Sequence, residues 1–240
     1  MFHFERVRTL PSLFYGEKFI TFIGAGGKTS FIEFLAKCLL KEGLFPVITT
    51  TTKIYAKEPF LVEEKLTDGL MKDKPFIRVG GRIVDGKLDG VKESTLLELG
   101  RFYDMVLIEG DGSKGKPLKY PSYHEPVIPQ ITDLVVLVSG LDGMYKRVDE
   151  VVFRWELLNE KEGIRGEEKI DEGRFAALVS GPMLKGIDGK RYVICLNKYD
   201  LQRDVKGLER LLAMLLERTH PQFLLVSSFK YGIFYRCEKL

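Results

Sequence analysis

The sequence of 240 residues has few cysteines, little net charge and no long apolar run. Its three cysteines lie far apart and form no CxxC pair, which argues against a zinc site or a redox dithiol. An odd number of thiols in apolar surroundings is typical of a reducing compartment, so we expect a cytoplasmic protein. The N-terminus lacks the shape of a signal peptide, and no apolar run could span a bilayer, so we expect no membrane association.

The net charge of only +3 argues against nucleic acid as a partner. No block of lysine or arginine is long enough to suit a nucleic-acid backbone, so we expect no nucleic acid. Apolar residues make up 45% of the chain and charged residues 30%, which predicts a substantial core beneath a polar surface. This length suits one large α/β domain, with or without a small insertion.

A glycine-rich stretch is the strongest signal that the sequence does contain. The apolar run 19–23 predicts a buried strand, and apolar residues recur at helical spacing from Phe31 to Leu39. Between them stand Gly24, Ala25, Gly26, Gly27, Lys28, Thr29 and Ser30. A strand, a glycine loop, Gly-Lys-Thr and a helix together indicate a phosphate-binding loop, although Phe22 occupies the position of its usual first glycine. The other interpretation is a glycine-rich turn of a Rossmann-like unit.

The chemistry of this loop follows from its residue types. Glycines let successive N–H groups turn toward an anion, and the start of the helix adds N–H groups and a partial positive charge. We expect all seven residues to contact the nucleotide, with Lys28 on its phosphates and the Thr29 hydroxyl on Mg²⁺.

Four threonines, Thr49 to Thr52, end the next predicted strand, at 45–50. Ligands of open α/β sheets bind at the carboxyl ends of the strands, so these hydroxyls, Thr51 among them, are candidate ligands of Mg²⁺ or of a phosphate oxygen. Threonine is also a common strand residue, which would explain the run without a function.

In two other regions the sequence mainly predicts secondary structure. Residues 1–18 predict a short helix and a turn before the first strand. Residues 53–103 predict an insertion with a short helix over about 62–71, a hairpin around Asp85-Gly86 and a helix over 94–102 that Ser94 would cap.

A pair of carboxylates follows the predicted strand 104–108. Glu109 and Asp111 are separated by one residue, so both point to one side in strand geometry. A carboxylate after a buried strand forms the second half of a phosphate-loop site, where it holds Mg²⁺ or orients the attacking water. We expect Lys28, Glu109 and Asp111 to be catalytic, and Thr29, Thr51, Glu109 and Asp111 to bind the metal. The alternative is an acidic turn, although Lys114, Lys116 and Lys119 downstream would also suit an anionic ligand.

A second motif, Asn197-Lys198-Tyr199-Asp200, follows the predicted strand 191–196. The Asp200 carboxylate can accept both the N1–H and the 2-amino group of guanine, whereas adenine offers neither donor there. Asn197 would brace the loop or contact the base, and the Lys198 stem would lie along it. Ser227 and Ser228, after the last predicted strand, would also contact the base. The alternative is that Asp200 caps the next helix.

Together with the segment 124–129, these motifs resemble the YqeC family over most of the chain, from Phe19 to Asp200. The run 109–119 is the most specific part, although the family has alanine where this chain has Gly110. The resemblance implies an accessory protein in the maturation of selenium-dependent molybdenum hydroxylases. The strand-Glu-Gly arrangement is also similar to GTPases that insert nickel into enzymes, and the short loop is similar to that of ATP-dependent Mur ligases.

We therefore expect a three-layer α/β fold of the P-loop NTPase type, with a mostly parallel sheet, one domain over residues 1–240 and an inserted helix and hairpin at 53–103. The expected function is binding and slow Mg²⁺-dependent hydrolysis of a nucleoside triphosphate, GTP rather than ATP. The expected partner is a selenium-dependent molybdenum hydroxylase or the proteins that make its cofactor. Two alternatives stay open: a nucleotide-bound adaptor with little turnover, and an ATP-dependent ligase or kinase acting on a cofactor precursor. Arg82 and Arg154 are candidates for an activating arginine.

Overall fold

The computed structural model describes residues 2–66 and 77–239, and most of its strands join one sheet. The strands are β1 (Phe2–Arg6), β2 (Phe19–Gly24), β3 (Pro46–Thr50), β4 (Lys53–Tyr55), β5 (Phe60–Val62), β6 (Ile77–Gly80), β7 (Ile83–Val84), β8 (Lys87–Asp89), β9 (Met105–Glu109), β10 (Leu118–Lys119), β11 (Leu134–Gly140), β12 (Val152–Phe153), β13 (Arg191–Asn197), β14 (Leu224–Ser228) and β15 (Ile233–Lys239). Within these ranges the main sheet has ten strands in the order β1-β15-β14-β13-β11-β2-β9-β3-β6-β5. All neighbours from β14 to β5 are parallel, and β1 and β15 are antiparallel at one edge.

Helices cover both faces of this sheet. They are α1 (Lys28–Lys41), α2 (Glu93–Phe102), α3 (Val148–Val151), α4 (Trp155–Glu162), α5 (Glu172–Ser180) and α6 (Val205–Arg218). The apolar face of α1 packs on one side of the sheet, and α2, α5 and α6 pack on the other. The central strands β9 and β11 are buried throughout because both of their faces are covered. The expected three-layer α/β fold is therefore confirmed.

The N-terminal segment differs from its prediction. Residues 2–6 form strand β1 against β15 rather than a helix, and only Leu10–Leu13 form a short 3-10 helix. Phe4 packs edge-on against Tyr235 of β15, with ring centroids 6.4 Å apart. The alternation of apolar and polar residues in Phe2–Arg6 fits this pairing, since one side of the strand faces the core.

The segment 53–103 holds the expected hairpin but is also part of the main sheet. Asp85 and Gly86 form the turn between β7 and β8, both with positive φ, as predicted. Helix α2 begins one residue before the predicted start, and Ser94 makes no cap hydrogen bond. The predicted helix over 62–71 is wrong at its start, where β5 leads into a 3-10 turn at Glu63–Lys65, and its part from 67 lies outside the described residues. The segment 53–103 is therefore not only an inserted helix and hairpin, because its strands β5 and β6 also extend the main sheet beside β3.

None of the helices within the described ranges combines the length and the apolar character needed to cross a membrane.

Candidate functional site

The loop between β2 and α1 lies at the carboxyl edge of the sheet, and its first N–H groups are used inside the protein. Those of Gly24, Ala25 and Gly26 donate to Asp111 Oδ2, Val138 O and Lys116 O over 2.8 to 2.9 Å. These bonds fix the loop onto β11 and onto the segment after β9. The sequence predicted that these three residues present their N–H groups to a phosphate; in the structure the same groups position the loop.

The four backbone N–H groups that follow, at the start of α1, differ from these three in having no internal partner in the described part of the chain. Those of Gly27, Lys28, Thr29 and Ser30 have no hydrogen-bond acceptor among residues 2–66 and 77–239. They are the unpaired donors at the start of a 14-residue helix, where the helix dipole also concentrates positive charge. Phosphate contacts from the backbone are therefore expected at residues 27–30.

Two glycines are required by this close packing. Gly26 has a φ of +73°, and a Cβ there would lie 2.1 Å from the backbone nitrogen of Gly140. Gly27 has a φ of +123°, and a Cβ there would lie 2.5 Å from Asn197 Nδ2. Any side chain at either position would clash, so the sequence Gly-Gly before Lys28 is what allows α1 to start here.

Lys28 is buried and paired in the structure. Its Nζ donates to the Gly24 carbonyl over 2.6 Å and lies 3.0 Å from Asp111 Oδ1. Asp111 Oδ2 accepts from the Gly24 N–H and from Lys119 Nζ, at 2.9 and 3.0 Å. Both Asp111 oxygens thus face cationic or N–H donors of the loop, so Asp111 orients Lys28 and does not contact Thr29.

Glu109, rather than Asp111, is the carboxylate that contacts Thr29. The Thr29 hydroxyl donates to Glu109 Oε2 over 3.1 Å. Burial raises the pKa of Glu109, and the nearby Lys28 and the Thr29 hydrogen bond oppose this rise without cancelling it. Burial is therefore the main influence on this carboxyl group, and Lys28 is the cation that acts on it.

Lys28 and Asp111 belong to a line of five alternating charges, which we call the charge chain: Lys28, Asp111, Lys119, Glu125 and Arg154. Lys119 is fully buried and also donates to Glu125 Oε2 over 2.7 Å. Arg154 binds both oxygens of Glu125, with Nη2 3.0 Å from Oε1. Burial would raise the pKa of Glu125, but the hydrogen bonds from Arg154 and Lys119 lower it to about 2. The charge chain itself holds three cations and two carboxylates, and a third carboxylate, that of Glu109, lies near Lys28.

The threonine run satisfies backbone carbonyls rather than a metal. Thr49 donates to Val79 O, Thr50 to Glu109 O and Thr51 to Val127 O, at 2.7 to 2.8 Å. Buried carbonyls at the end of a sheet need such donors. The N–H of the predicted metal ligand Thr51 donates to the Glu109 carbonyl over 3.2 Å, but its hydroxyl is used by Val127 O, and Thr52 rather than Thr51 lines the cavity beside Thr29 and Glu109.

On the other side of α1, Asn197 braces the loop. Its Nδ2 donates to the Gly26 carbonyl over 2.8 Å, and its Oδ1 accepts from Ser227 Oγ at 3.3 Å. Asn197 and Ser227 are both buried, and these bonds use their polar groups. Of the two roles predicted for Asn197, the structure shows loop bracing, and Ser227 supports Asn197 rather than facing a ligand.

Asp200, Ser228 and Lys198 lie next to this brace. Ser228 Oγ donates to Asp200 Oδ1 over 2.6 Å, so the two predicted base contacts are adjacent. Lys198 Nζ donates to Asp142 Oδ2 over 2.8 Å. Asp200 does not cap α6, because the cap is Asp204, whose carboxylate accepts the Gly207 N–H. Ser227 and Ser228 are the last two residues of β14 rather than a loop after it, and the turn 229–232 then leads into β15.

Two cavities flank the start of α1. The first, about 450 Å³ and called the Asp200 cavity, is lined by residues that include Ser30, Phe34, Lys198, Asp200 and Phe229. The second, about 830 Å³ and called the Glu109 cavity, is lined by residues that include Thr29, Glu33, Thr52, Glu109 and Arg154. Ser30 lines the first cavity, Thr29 lines the second and Glu33 lines both, so the two cavities meet along the first turns of α1.

The sequence analysis missed several charged residues of the site. Lys119 was not distinguished from Lys114 and Lys116, and Glu125 was named only as part of the segment 124–129, without a role of its own. Arg78, buried in β6, donates to Glu33 Oε1 over 2.7 Å and lines the Glu109 cavity; a lone arginine between Ile77 and Val79 was the signal. Arg82 is exposed on the hairpin, away from this cavity.

Within the described ranges, no three His, Cys, Asp or Glu side chains cluster in a way that could hold a metal ion. Thr29 and Glu109 alone therefore fit Mg²⁺ only when phosphate and water oxygens complete its coordination, which is how Mg²⁺ is usually bound beside nucleotides.

Comparison with known proteins places this site in a family. Residues 20–156 match the model of the family described as YqeC protein, a range that includes the loop and the charge chain but not Asn197 or Asp200. The chain is also 31% identical over 176 residues to a protein of Escherichia coli (strain K12) named Uncharacterized protein YqeC, with 68% of each chain covered. The chain therefore belongs to the YqeC family.

Proposed function

We propose that this protein binds a nucleoside triphosphate with Mg²⁺ at the start of α1 and hydrolyses it slowly. The observation that carries the proposal is the set of N–H groups at residues 27–30, which have no acceptor in the described part of the chain. Four converging donors at the positive end of a helix, beside a buried lysine, suit a polyphosphate.

Lys28 would change partners when the nucleotide binds. It now pairs with Asp111 and the Gly24 carbonyl. A phosphate oxygen beside the loop offers it a stronger charge partner, and Asp111 would keep Lys119. Asp111 is thus a positioning residue that holds Lys28 near the loop, rather than a metal ligand.

Thr29 and Glu109 would hold Mg²⁺, which neutralises the charge that develops on the phosphates when it is bound. Their mutual hydrogen bond supports this assignment, because both are oxygen ligands and they lie at the edge of the Glu109 cavity. Glu109 would then serve as the catalytic carboxylate.

GTP is the preferred nucleotide of this proposal. Asp200 Oδ2 has no hydrogen-bond partner among residues 2–66 and 77–239, and Oδ1 is oriented by Ser228. A carboxylate held in this way can accept the two adjacent donors of guanine. Phe34 and Phe229 line the same cavity and offer apolar surface to a base.

The resemblance to the YqeC family suggests the biological setting, the maturation of a selenium-dependent molybdenum hydroxylase. The partner in that setting would be the hydroxylase or the proteins that make its cofactor. A nucleotide-bound adaptor would share this site but show little turnover, and single-turnover hydrolysis with and without the partner separates the two.

The test is equilibrium binding of GTP and ATP, with Mg²⁺, to the wild type, to Lys28→Ala and to the matched control Lys41→Ala. Lys41 is exposed at the far end of the same helix. We expect GTP to bind more tightly than ATP, and Lys28→Ala to lose one charge-assisted contact, about 1.5–3 kcal/mol or roughly ten- to 150-fold in Kd. Wild-type affinity in Lys28→Ala would rule out the phosphate loop, and tighter binding of ATP would favour an ATP-dependent ligase or kinase.

A further inference from the structure

The Glu109 cavity extends well beyond Thr29 and Glu109, and its walls come from three parts of the chain. One wall is the start of α1, the second is the small sheet β4-β8-β7 with Lys53, Tyr55 and Lys87, and the third is the segment 112–115 with Phe153 and Arg154. Its volume of about 830 Å³ is within the range of small-molecule sites.

The charges around this cavity are unbalanced. Six cationic side chains line it against three carboxylates: Lys53, Lys57, Arg78, Lys87, Lys114 and Arg154 against Glu33, Glu109 and Glu125. Glu33 is shared by Lys57 and Arg78, and Glu125 is shared by Arg154 and the buried Lys119. Two of the three carboxylates are thus already paired, and Glu109 accepts only from the Thr29 hydroxyl. Lys53 pairs with Asp89 of β8, so the cations without a carboxylate partner lie among the others.

Lys87 and Lys114 carry this excess most directly. Neither has a carboxylate within 4 Å in the described part of the chain; each lies over an aromatic ring instead, Lys87 Nζ 5.1 Å from the centre of Tyr55 and Lys114 Nζ 5.5 Å from the centre of Phe153. One belongs to the small sheet and the other to the segment 112–115, so two such cations face the same space from different walls.

We propose that the Glu109 cavity binds a small molecule with at least two phosphate or carboxylate groups, held between Lys87 and Lys114. Two cations on separate walls are best satisfied by an anion with two charged groups. The location gives this molecule a role that rests on the proposed function: the bound anion would lie next to the terminal phosphate of the nucleotide, as a second substrate. The base of that nucleotide would lie in the Asp200 cavity, beyond Ser30.

The experiment uses pyridoxal 5′-phosphate, whose phosphate group seeks anion sites and whose aldehyde forms an imine with a nearby lysine that borohydride reduces to a stable amine. The protein is labelled with and without a saturating non-hydrolysable GTP analogue and Mg²⁺, and modified lysines are located by peptide mass spectrometry. The references are Lys41 and Lys206, which are exposed and have no carboxylate within 4 Å in the described ranges. We expect Lys87 or Lys114 to be labelled about ten-fold faster than these references, because a cavity in which cations outnumber carboxylates concentrates an anionic probe.

Inorganic phosphate should compete with this labelling, and Lys87→Ala/Lys114→Ala should abolish the fast phase without altering the Kd of the GTP analogue. Labelling no faster than at Lys41 and Lys206, or no competition by phosphate, would overturn the proposal. Protection of Lys87 and Lys114 by the GTP analogue would overturn it too, because the nucleotide itself would then fill the cavity. Failure of the analogue to bind at all would refute the proposed function, while labelling of the nucleotide-free protein would still decide whether the cavity binds anions.

Discussion

Replacing Asp111 by asparagine tests whether the charge chain stabilises the fold. Asp111 is 2% exposed and lies between the buried Lys28 and the fully buried Lys119. Asparagine has the same shape but no charge, so Asp111→Asn leaves Glu125 as the only carboxylate that pairs directly with a cation of the charge chain, while Glu109 stays near Lys28. Neither lysine can reach water without a change in the surrounding structure.

The size of the effect follows from the remaining partners. Removing one member of a buried ion pair costs about 3–5 kcal/mol, because the other charge stays buried without compensation. Lys119 would keep Glu125 and the Gly112 carbonyl, and Lys28 would keep the Gly24 carbonyl. We therefore expect the lower end, about 3 kcal/mol, which is a large share of the roughly 5–15 kcal/mol that holds a typical domain folded.

Urea denaturation at pH 7 measures this cost, with Asp149→Asn as the matched control because Asp149 pairs with Arg147 on the surface. Asp111→Asn should lower the midpoint clearly, and Asp149→Asn should barely move it. The double variant Asp111→Asn/Lys119→Met removes the surplus cation and should be more stable than Asp111→Asn alone. Equal midpoints for the two asparagine variants, or additive losses in the double variant, would show that charge balance does not stabilise this region.

Three further predictions concern single residues. Asp200→Asn should weaken GTP binding by about 1–3 kcal/mol and improve XTP binding, since xanthine replaces the 2-amino group with a carbonyl; unchanged Kd values would contradict guanine recognition. Glu109→Gln should lower the single-turnover rate of Mg²⁺-dependent hydrolysis far more than it raises the Kd of GTP, and an equal effect on both would remove Glu109 from the metal site. Glu125, with a pKa of about 2 against its ordinary 4.5, should add about 2–3 kcal/mol of stability above pH 4.5 that is lost as the pH falls toward 2, and Glu125→Gln should flatten that part of the urea profile.

The central part of the fold was predictable because its signals are local. Continuous apolar runs such as 134–138 mark strands with both faces covered, and the helical spacing from Phe31 to Leu39 marks the layer above them. The antiparallel edge was not predictable in this way. Strands β1 and β15 pair across almost the whole chain, and a five-residue alternation at the N-terminus is too short to distinguish a strand from a helix.

The residues that make up the site could be predicted from the sequence, but most of their hydrogen bonds and ion pairs could not. Lys28, Thr29, Glu109 and Asp111 come together because the carboxyl ends of β2 and β9 lie side by side. Which oxygen each donor meets depends on pairs far apart in sequence: Gly24 and Asp111 are 87 residues apart, and Gly26 and Asn197 are 171 apart. Spacing along the chain could place Asp111 near the loop but could not show that Lys28 and Lys119 would occupy its oxygens.

The charge chain also explains why an anion suits this loop. Lys28 and Lys119 are almost fully withdrawn from water, and the carboxylates of Asp111, Glu125 and the nearby Glu109 face the cations of the charge chain. The unpaired N–H groups of residues 27–30 add positive potential beside Lys28. In the proposed function, a phosphate beside Lys28 would give this lysine a further anionic partner and would accept from those N–H donors at once, so the groups that position the loop would also hold a polyphosphate.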